Sequence, residues 1–182
     1  NPIFAMPKFL AVPVLQIIFA FGLVLHSNLF FSSSCFFSAL LVCMRWRGTL
    51  NGGSDYMTLL VLLCLSVAHA SGVESEISQF ALGYLAVQVT LSYFIAGCVK
   101  GLLKSWWNGS ALRQYLSCEV YAVPGAVKVL FGKKSISILA SVTVIVAEVL
   151  FPLVWIFPKT LPYALVFFLL FHLSNVFVLG LN

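Results

Sequence analysis

Charged side chains are scarce in this sequence. Its 182 residues include ten Lys and Arg and five Asp and Glu, so that 8% of the chain is charged, whereas soluble domains have about 25%. Hydrophobic residues make up 62% of the chain, and the mean hydropathy is +1.07. So few charges cannot cover so much apolar surface in water. The composition excludes a water-soluble domain and indicates an integral membrane protein whose surroundings are the lipid bilayer.

Patterns typical of metal sites and disulfide frameworks are also missing. The five cysteines show no CxxC or Cys/His ligand spacing, and a free thiol in an apolar run behaves as a small hydrophobe. We predict neither a disulfide framework nor a metal site. The net charge of +5 is typical of orientation signals and lipid contact in a membrane protein, so we expect no nucleic-acid partner.

Long apolar runs define the expected fold, an all-α polytopic membrane protein. One span needs ~20 residues, and the run from 9 to 44 is too long for one and is broken at His26-Ser27-Asn28. Residues 110–131 mix polar and apolar side chains around Pro124-Gly125, which favours short interfacial helices over a plain connecting loop. We predict six membrane-spanning helices, at residues 9–25, 29–44, 56–70, 79–103, 135–157 and 161–180.

Positive charges are unevenly distributed over these six spans. Only Lys159 falls on one side, and the positive-inside rule therefore predicts that the opposite face is cytoplasmic. The membrane is either a bacterial inner membrane or a eukaryotic endomembrane. The nine residues on the basic side are Lys8, Arg45, Arg47, Lys100, Lys104, Arg113, Lys128, Lys133 and Lys134.

The termini indicate how much of the protein the sequence covers. The chain begins without Met and stops at Asn182, directly after an apolar run. We therefore expect residues 1–182 to form a single transmembrane domain of a longer chain.

Three ionisable residues in or near the hydrocarbon are the candidate site residues: Lys100, Glu148 and His172. At 1.5 Å per residue, Glu148 in the fifth span lies ~20 Å from one face of the membrane. His172 in the antiparallel sixth span lies ~17 Å from the opposite face, so both are close to the midplane. They could meet as an ion pair or as a neutral hydrogen bond. The alternative is a structural polar contact that joins two helices.

Lys100 is expected to lie shallower, toward the basic face. A desolvated amine there can accept a proton, and the alternative is a snorkelling lysine with its ammonium at the headgroups. Gly97 and Gly101 have the four-residue spacing that lets helices approach closely in lipid. Trp106 and Trp107 fit the headgroup level.

Several segments resemble a known family. They are RWRGTLNGGSDY at 45–56, YFIAGCVK at 93–100, W-x-x-G-x-A-L at 106–112, AEVLFP at 147–152 and FHLSNVFVLG at 171–180. In this order they resemble the HTTM membrane domain, the group that includes vitamin K-dependent γ-glutamyl carboxylase. The resemblance covers roughly residues 45–182.

The resemblance implies an activity and assigns roles. It implies a carboxylase-like, quinol-dependent oxygenation coupled to modification of a peptide substrate, with reduced vitamin K or another quinol as cofactor. The lysine that deprotonates the quinol corresponds to Lys100. Phe171, His172 and Asn175 resemble the family's F-H-x-x-N pattern, and Glu148 matches an acidic position.

The sequence departs from the carboxylase in three ways. It has no histidine at Gly53-Ser54-Asp55-Tyr56, where Asp55 is instead expected to cap the third span, and it does not include the large lumenal domain. The family's chemistry also lies toward the lumenal side, whereas the charge distribution puts Lys100 near the cytoplasmic face.

Two other functions remain open from the sequence. One is a non-catalytic transmembrane subunit or scaffold of a larger complex, with Gly97 and Gly101 packed against helices of other membrane chains. The other is an accessory role in the maturation or export of a secreted peptide.

Overall fold

The computed structural model describes residues 9–46, 52–119 and 123–179. All regular structure in these three ranges is helical. Two 3-10 helices, Phe151–Trp155 and Pro158–Thr160, connect the last two α-helices. The α-helices are α1 (Ala11–Leu25), α2 (Leu29–Trp46), α3 (Gly52–Ser71), α4 (Glu76–Gly101), α5 (Lys104–Trp107), α6 (Ser110–Ser117), α7 (Gly125–Gly132), α8 (Lys134–Leu150) and α9 (Leu161–Leu179).

Four helical segments are long and apolar enough to cross a membrane. They are Gly53–Ser71, Glu76–Gly101, Lys134–Trp155 and Pro158–Val178, and they support an integral membrane protein. Helices α1 and α2 are shorter, and a helix of 15 residues extends only ~22 Å against a hydrocarbon core of ~30 Å. Six spans are therefore not confirmed by helix length.

The predicted short helices between the fourth and fifth spans are confirmed. Helices α5, α6 and α7 occupy this part of the chain. Gly109, directly before α6, has the left-handed backbone conformation with φ +69°, and Asn108 Oδ1 accepts a hydrogen bond from the Ser110 N–H at 2.9 Å. Their location at the membrane interface stays a prediction.

The third helix begins earlier than predicted. Helix α3 starts at Gly52, so that Asp55 lies inside its first turn, and the expectation that Asp55 caps this helix is wrong. A carboxylate in the first turn still interacts favourably with the positive end of the helix dipole. The preceding residues 47–51, which include Arg47 of the charge pattern, lie outside the described residues, as does Lys8.

The chain forms two compact units, Asn1–Gln88 and Val89–Asn182, and the boundary falls within α4. In the first unit α2 packs against α1 and α3. The buried residues of α2 and α3 include Cys35, Ala39, Cys64 and Ala68, and such small side chains let helices approach closely. All five cysteines of the chain are free thiols.

The second unit is built on one face of α8. Ser137, Ser141, Ile145 and Glu148 are its buried residues, and their spacing of four, four and three residues places them on one side of a helix. A Cβ on Gly109 would lie 2.8 Å from Ser137. Because glycine lacks a Cβ, the start of α6 can lie directly against the first turn of α8.

Candidate functional site

One face of α4 supplies the residues of the candidate site. Thr90, Tyr93, Gly97 and Lys100 follow one another at spacings of three, four and three residues, so they lie on one side of the helix. All four belong to the second unit. Each is matched by a residue of α8, of the following 3-10 helix or of α9.

Lys100 forms a salt bridge with Glu148. Its Nζ donates to both carboxylate oxygens, at 2.7 Å to Oε1 and 2.6 Å to Oε2. The Glu148 side chain is 4% exposed and that of Lys100 is 21% exposed. The Trp106 ring centroid lies 5.5 Å from Nζ, so that a carboxylate and an aromatic ring both stabilise the ammonium.

The salt bridge places the Lys100 ammonium beside the Glu148 carboxylate, whereas the sequence places it shallower. The depth of Lys100 in a bilayer, including the snorkelling alternative, stays a prediction. The ammonium binds Glu148, which is 14 residues beyond Lys134 at the start of α8. This separation corresponds to ~21 Å along the helix axis. Helix α4 ends before it reaches the first turn of α8. Helices α5 and α6 then continue along α8 and reach Ser137, near that first turn.

The tryptophan pair is part of this arrangement. Trp106 lies near Lys100, as described above, and Trp107 Nε1 donates a 2.7 Å hydrogen bond to the Gly101 carbonyl. That carbonyl is one of the last four of α4, for which an α-helix offers no N–H donor of its own. The two indoles therefore hold the end of α4, and their predicted position at the headgroups stays untested.

Gly97 allows the close approach on which the salt bridge depends. A Cβ added at Gly97 would lie 2.8 Å from Glu148 Cβ and 2.8 Å from the Val149 backbone nitrogen. Gly101 has more room, since its added Cβ would lie 3.8 Å from Ile145. The close-packed glycine of the predicted pair is therefore Gly97, and its neighbour is α8 of the same chain.

His172 has a different partner from the one expected. Its Nε2 lies 2.8 Å from the Tyr93 hydroxyl oxygen, whereas the carboxylate of Glu148 binds Lys100. Glu148 and His172 are therefore not paired with each other as expected, because Lys100 binds both oxygens of the Glu148 carboxylate. The Tyr93 ring also packs on Phe151 and Phe168, with centroid distances of 5.0 and 4.0 Å.

Sequence reasoning missed Thr90, Tyr93 and Trp106 as members of the site. Thr90 Oγ1 accepts a 3.0 Å hydrogen bond from Trp155 Nε1, and Thr90 lies nearly three helical turns before Lys100 on α4. The signal that could have found Thr90 and Tyr93 is the helical spacing that relates them to Gly97 and Lys100. Trp106 gives no such signal, because its contact depends on the path of the chain after α4.

An open groove of about 330 Å³ lies beside this site. Its lining is apolar except for the hydroxyl groups of Thr160 and Tyr163. Its lining residues include Ala147, which directly precedes Glu148, Phe151, which lies three residues after Glu148, and Phe168. Phe151 and Phe168 are the two rings that contact Tyr93, so the groove borders the Tyr93–His172 pair.

The protein is an integral membrane protein with a polar site between its helices. Its class is defined by the helices that can span a membrane and by the ion pair between two of them. Residues 62–182 match the HTTM domain. This match covers well over half of the chain, and the chain belongs to the HTTM domain family. It includes every residue of the site from Thr90 to His172 and begins after the RWRGTLNGGSDY segment. Comparisons with curated proteins and with solved structures give no match.

Proposed function

We propose that this HTTM protein catalyses a carboxylase-like, quinol-dependent oxygenation in which Lys100 and Glu148 together handle the substrate proton. The observation that carries the proposal is the salt bridge of Lys100 with a carboxylate that is 4% exposed. Ionisable groups inside membrane helices are costly and mark functional sites by default. Membership of the HTTM family, which includes vitamin K-dependent γ-glutamyl carboxylase, supports the same conclusion.

In this proposal the pair makes the Lys100 amine available as a base. Nζ carries its proton in the salt bridge, and an ammonium has no acceptor site. Transfer of that proton over 2.6–2.7 Å to a carboxylate oxygen of Glu148 converts the ion pair into a neutral amine and a carboxylic acid. A medium of low dielectric constant favours neutral over charged partners. Nζ is then able to accept a proton from a substrate hydroxyl.

The groove fits the apolar part of a quinol such as reduced vitamin K. When bound, such a quinol supplies the reducing equivalents for oxygenation. Phe151 and Phe168 would hold an aromatic head at the wall of the groove, since aromatic rings favour offset or edge-on contacts. The Tyr93–His172 hydrogen bond offers a polar contact beyond these two rings.

The orientation and the complete set of spans are part of the proposal. We propose that α1 and α2 add two short spans to the four longer ones, and that the basic residues of the α4–α8 connection face the cytoplasm. Lys104, Lys128 and Lys133 all belong to this connecting segment, and the positive-inside rule supports a cytoplasmic location for it. A peptide is the proposed acceptor of the modification.

The packing of Gly97 bears on the subunit alternative. That alternative needs the glycine face of α4 to be available to a partner helix, whereas Gly97 is already in close contact with Glu148 and Val149. No contact of the described residues favours the subunit or the export role over the enzyme. The subunit role is an outcome of the experiment that follows.

The experiment is an oxygenation assay on the chain reconstituted in nanodiscs with reduced vitamin K and oxygen, with the epoxide product detected by mass spectrometry. Lys100→Ala should lower product formation by at least ~100-fold, the usual contribution of a general base. Lys104→Ala is the matched control, because Lys104 lies at the start of α5 outside the ion pair, and it should keep wild-type activity.

Equal activity of the wild type and Lys100→Ala would contradict the role of the pair. Absence of product from both, in folded protein, would contradict the enzyme and favour the subunit role. The next measurement would then be the recovery of a stable complex with other membrane chains after extraction in mild detergent.

A further inference from the structure

A second polar cluster lies in the first unit, where the α1–α2 connection meets the C-terminal end of α3. Ser27 Oγ lies 3.0 Å from His69 Nε2, and His69 Nδ1 lies 3.1 Å from Ser32 Oγ. The three residues come from the connection, from α2 and from α3. A serine nucleophile is activated by a histidine that lies within hydrogen-bond reach and is itself oriented by a third group, and Ser27, His69 and Ser32 have this geometry.

The hydrogen bonds of Ser32 favour one tautomer of His69. The Ser32 hydroxyl lies 3.1 and 3.2 Å from the backbone carbonyls of Asn28 and Leu29, to which it can donate its single proton. With that proton directed at a carbonyl, the Ser32 oxygen accepts from His69, and the ring proton is on Nδ1. Nε2 consequently carries a lone pair directed at the Ser27 hydroxyl.

The two serines differ in accessibility, and this difference separates their roles. Ser32 is 0% exposed, whereas Ser27 is exposed. A buried hydroxyl that orients the imidazole and an accessible hydroxyl that donates to it correspond to the third and first members of a catalytic triad. Ser32 is thus a positioning residue, and Ser27 is the group that a substrate can reach.

We propose that Ser27, with His69 as its general base, is a nucleophile for acyl esters, independently of the site on α4. In the first step Ser27 Oγ forms a bond to the ester carbonyl carbon and passes its proton to His69 Nε2. The bond to the alcohol then breaks, and the alcohol leaves with that proton. Water reverses the sequence, releasing the acid and restoring the serine. The cycle needs no oxidant or reductant.

The test uses a fluorophosphonate probe on the chain in nanodiscs, with the labelled residue mapped by mass spectrometry. The probe forms a phosphorus–oxygen bond with an activated serine and releases fluoride. We expect labelling of Ser27 in the wild type and a rate at least ~100-fold lower in His69→Gln, since general-base catalysis contributes at least that factor. Ser32→Ala should also slow labelling, because Nδ1–H loses its acceptor.

Ser117 supplies the matched control. It is exposed, but its hydroxyl donates to the Gln114 carbonyl of its own helix, at 2.9 Å. Ser117→Ala should leave the labelling of Ser27 unchanged, and Ser117 itself should not be labelled. The thermal unfolding temperature of each variant, measured alongside, identifies loss of folding.

Two results would overturn the proposal. One is folded wild-type protein in which Ser27 is labelled no faster than Ser117. The other is undiminished labelling of Ser27 in folded His69→Gln, which would mean that the histidine only joins α3 to the α1–α2 connection.

Discussion

At the residue scale, Lys100 and Glu148 depend on each other for their stability in the protein. Each satisfies the other's charge, and the carboxylate has little contact with solvent. Removing one partner of a buried pair leaves an uncompensated charge, whereas replacing both with apolar side chains of similar size is often neutral. A single substitution should therefore destabilise the protein, and replacement of both residues should cost much less stability.

We expect Glu148→Leu alone to lower the free energy of unfolding by about 3 kcal/mol, the lower end for a broken buried pair, because Lys100 retains some exposure. The double variant Lys100→Met/Glu148→Leu should recover most of this loss. Thermal unfolding of the three proteins in the same detergent measures it. A double variant less stable than Glu148→Leu would contradict the interpretation.

The sequence identified Lys100, Glu148 and His172 because an ionisable residue stands out in an apolar helix. It did not identify their partners. Pairing depends on the relative depth of residues on different helices, and depth was estimated from the ends of the spans. For Lys100 the end of the span was a poor guide to its partner, because the chain after Gly101 follows α8 instead of leaving it.

At the element scale, the approach of α4 to α8 is set by one glycine. Any side chain at Gly97 meets both a side chain and the backbone of α8 at 2.8 Å. A backbone neighbour cannot rotate away, so the helices must separate. Gly83, on the same helix, has nothing within 4 Å of an added Cβ.

Gly97→Ala should therefore destabilise the protein by about 1–3 kcal/mol, the usual cost of overpacking. Gly83→Ala should be neutral or stabilising by up to about 1 kcal/mol, because alanine is the better helix former. Unfolding temperatures of both variants provide the comparison. Equal effects at the two positions would show that α4 does not pack tightly against α8 at Gly97.

The helices themselves were largely predictable, and their boundaries less so. Apolar runs located α3, α4, α8 and α9, and mixed polarity around Pro124 indicated the short helices. The start of α3 was missed because Asn51-Gly52-Gly53 is typical of a turn, whereas Gly52 and Gly53 already belong to α3. The close approach of Gly97 to Val149 could not be predicted from hydrophobic periodicity, because it depends on which helices pack together.

At the scale of the whole molecule, the arrangement across the membrane is the main prediction. Four spans alternate between the two sides, so residues at 75 and 159 should lie on one side and residue 117 on the other. Single cysteines at these positions, in a background without the five native cysteines, can be labelled with a membrane-impermeant maleimide. Labelling of 75 and 117 from the same side would contradict this alternation.

A cysteine at Leu10 tests the two shorter helices. If α1 and α2 both cross the membrane, position 10 should be labelled from the side opposite to position 27 at the α1–α2 connection. Labelling of positions 10 and 27 from the same side would mean that α1 does not cross, and the protein would then have fewer than six spans. Unfolding temperatures of the cysteine variants serve as the folding control.

The central claim is that the Lys100–Glu148 pair carries the chemistry, and the most direct test is the activity of the double variant Lys100→Met/Glu148→Leu. Its fold should persist because both charges are removed together. With reduced vitamin K and oxygen in nanodiscs, we predict epoxide from the wild type and at least ~100-fold less from the folded double variant. Wild-type turnover by the double variant, or no epoxide from the folded wild type, would contradict the claim.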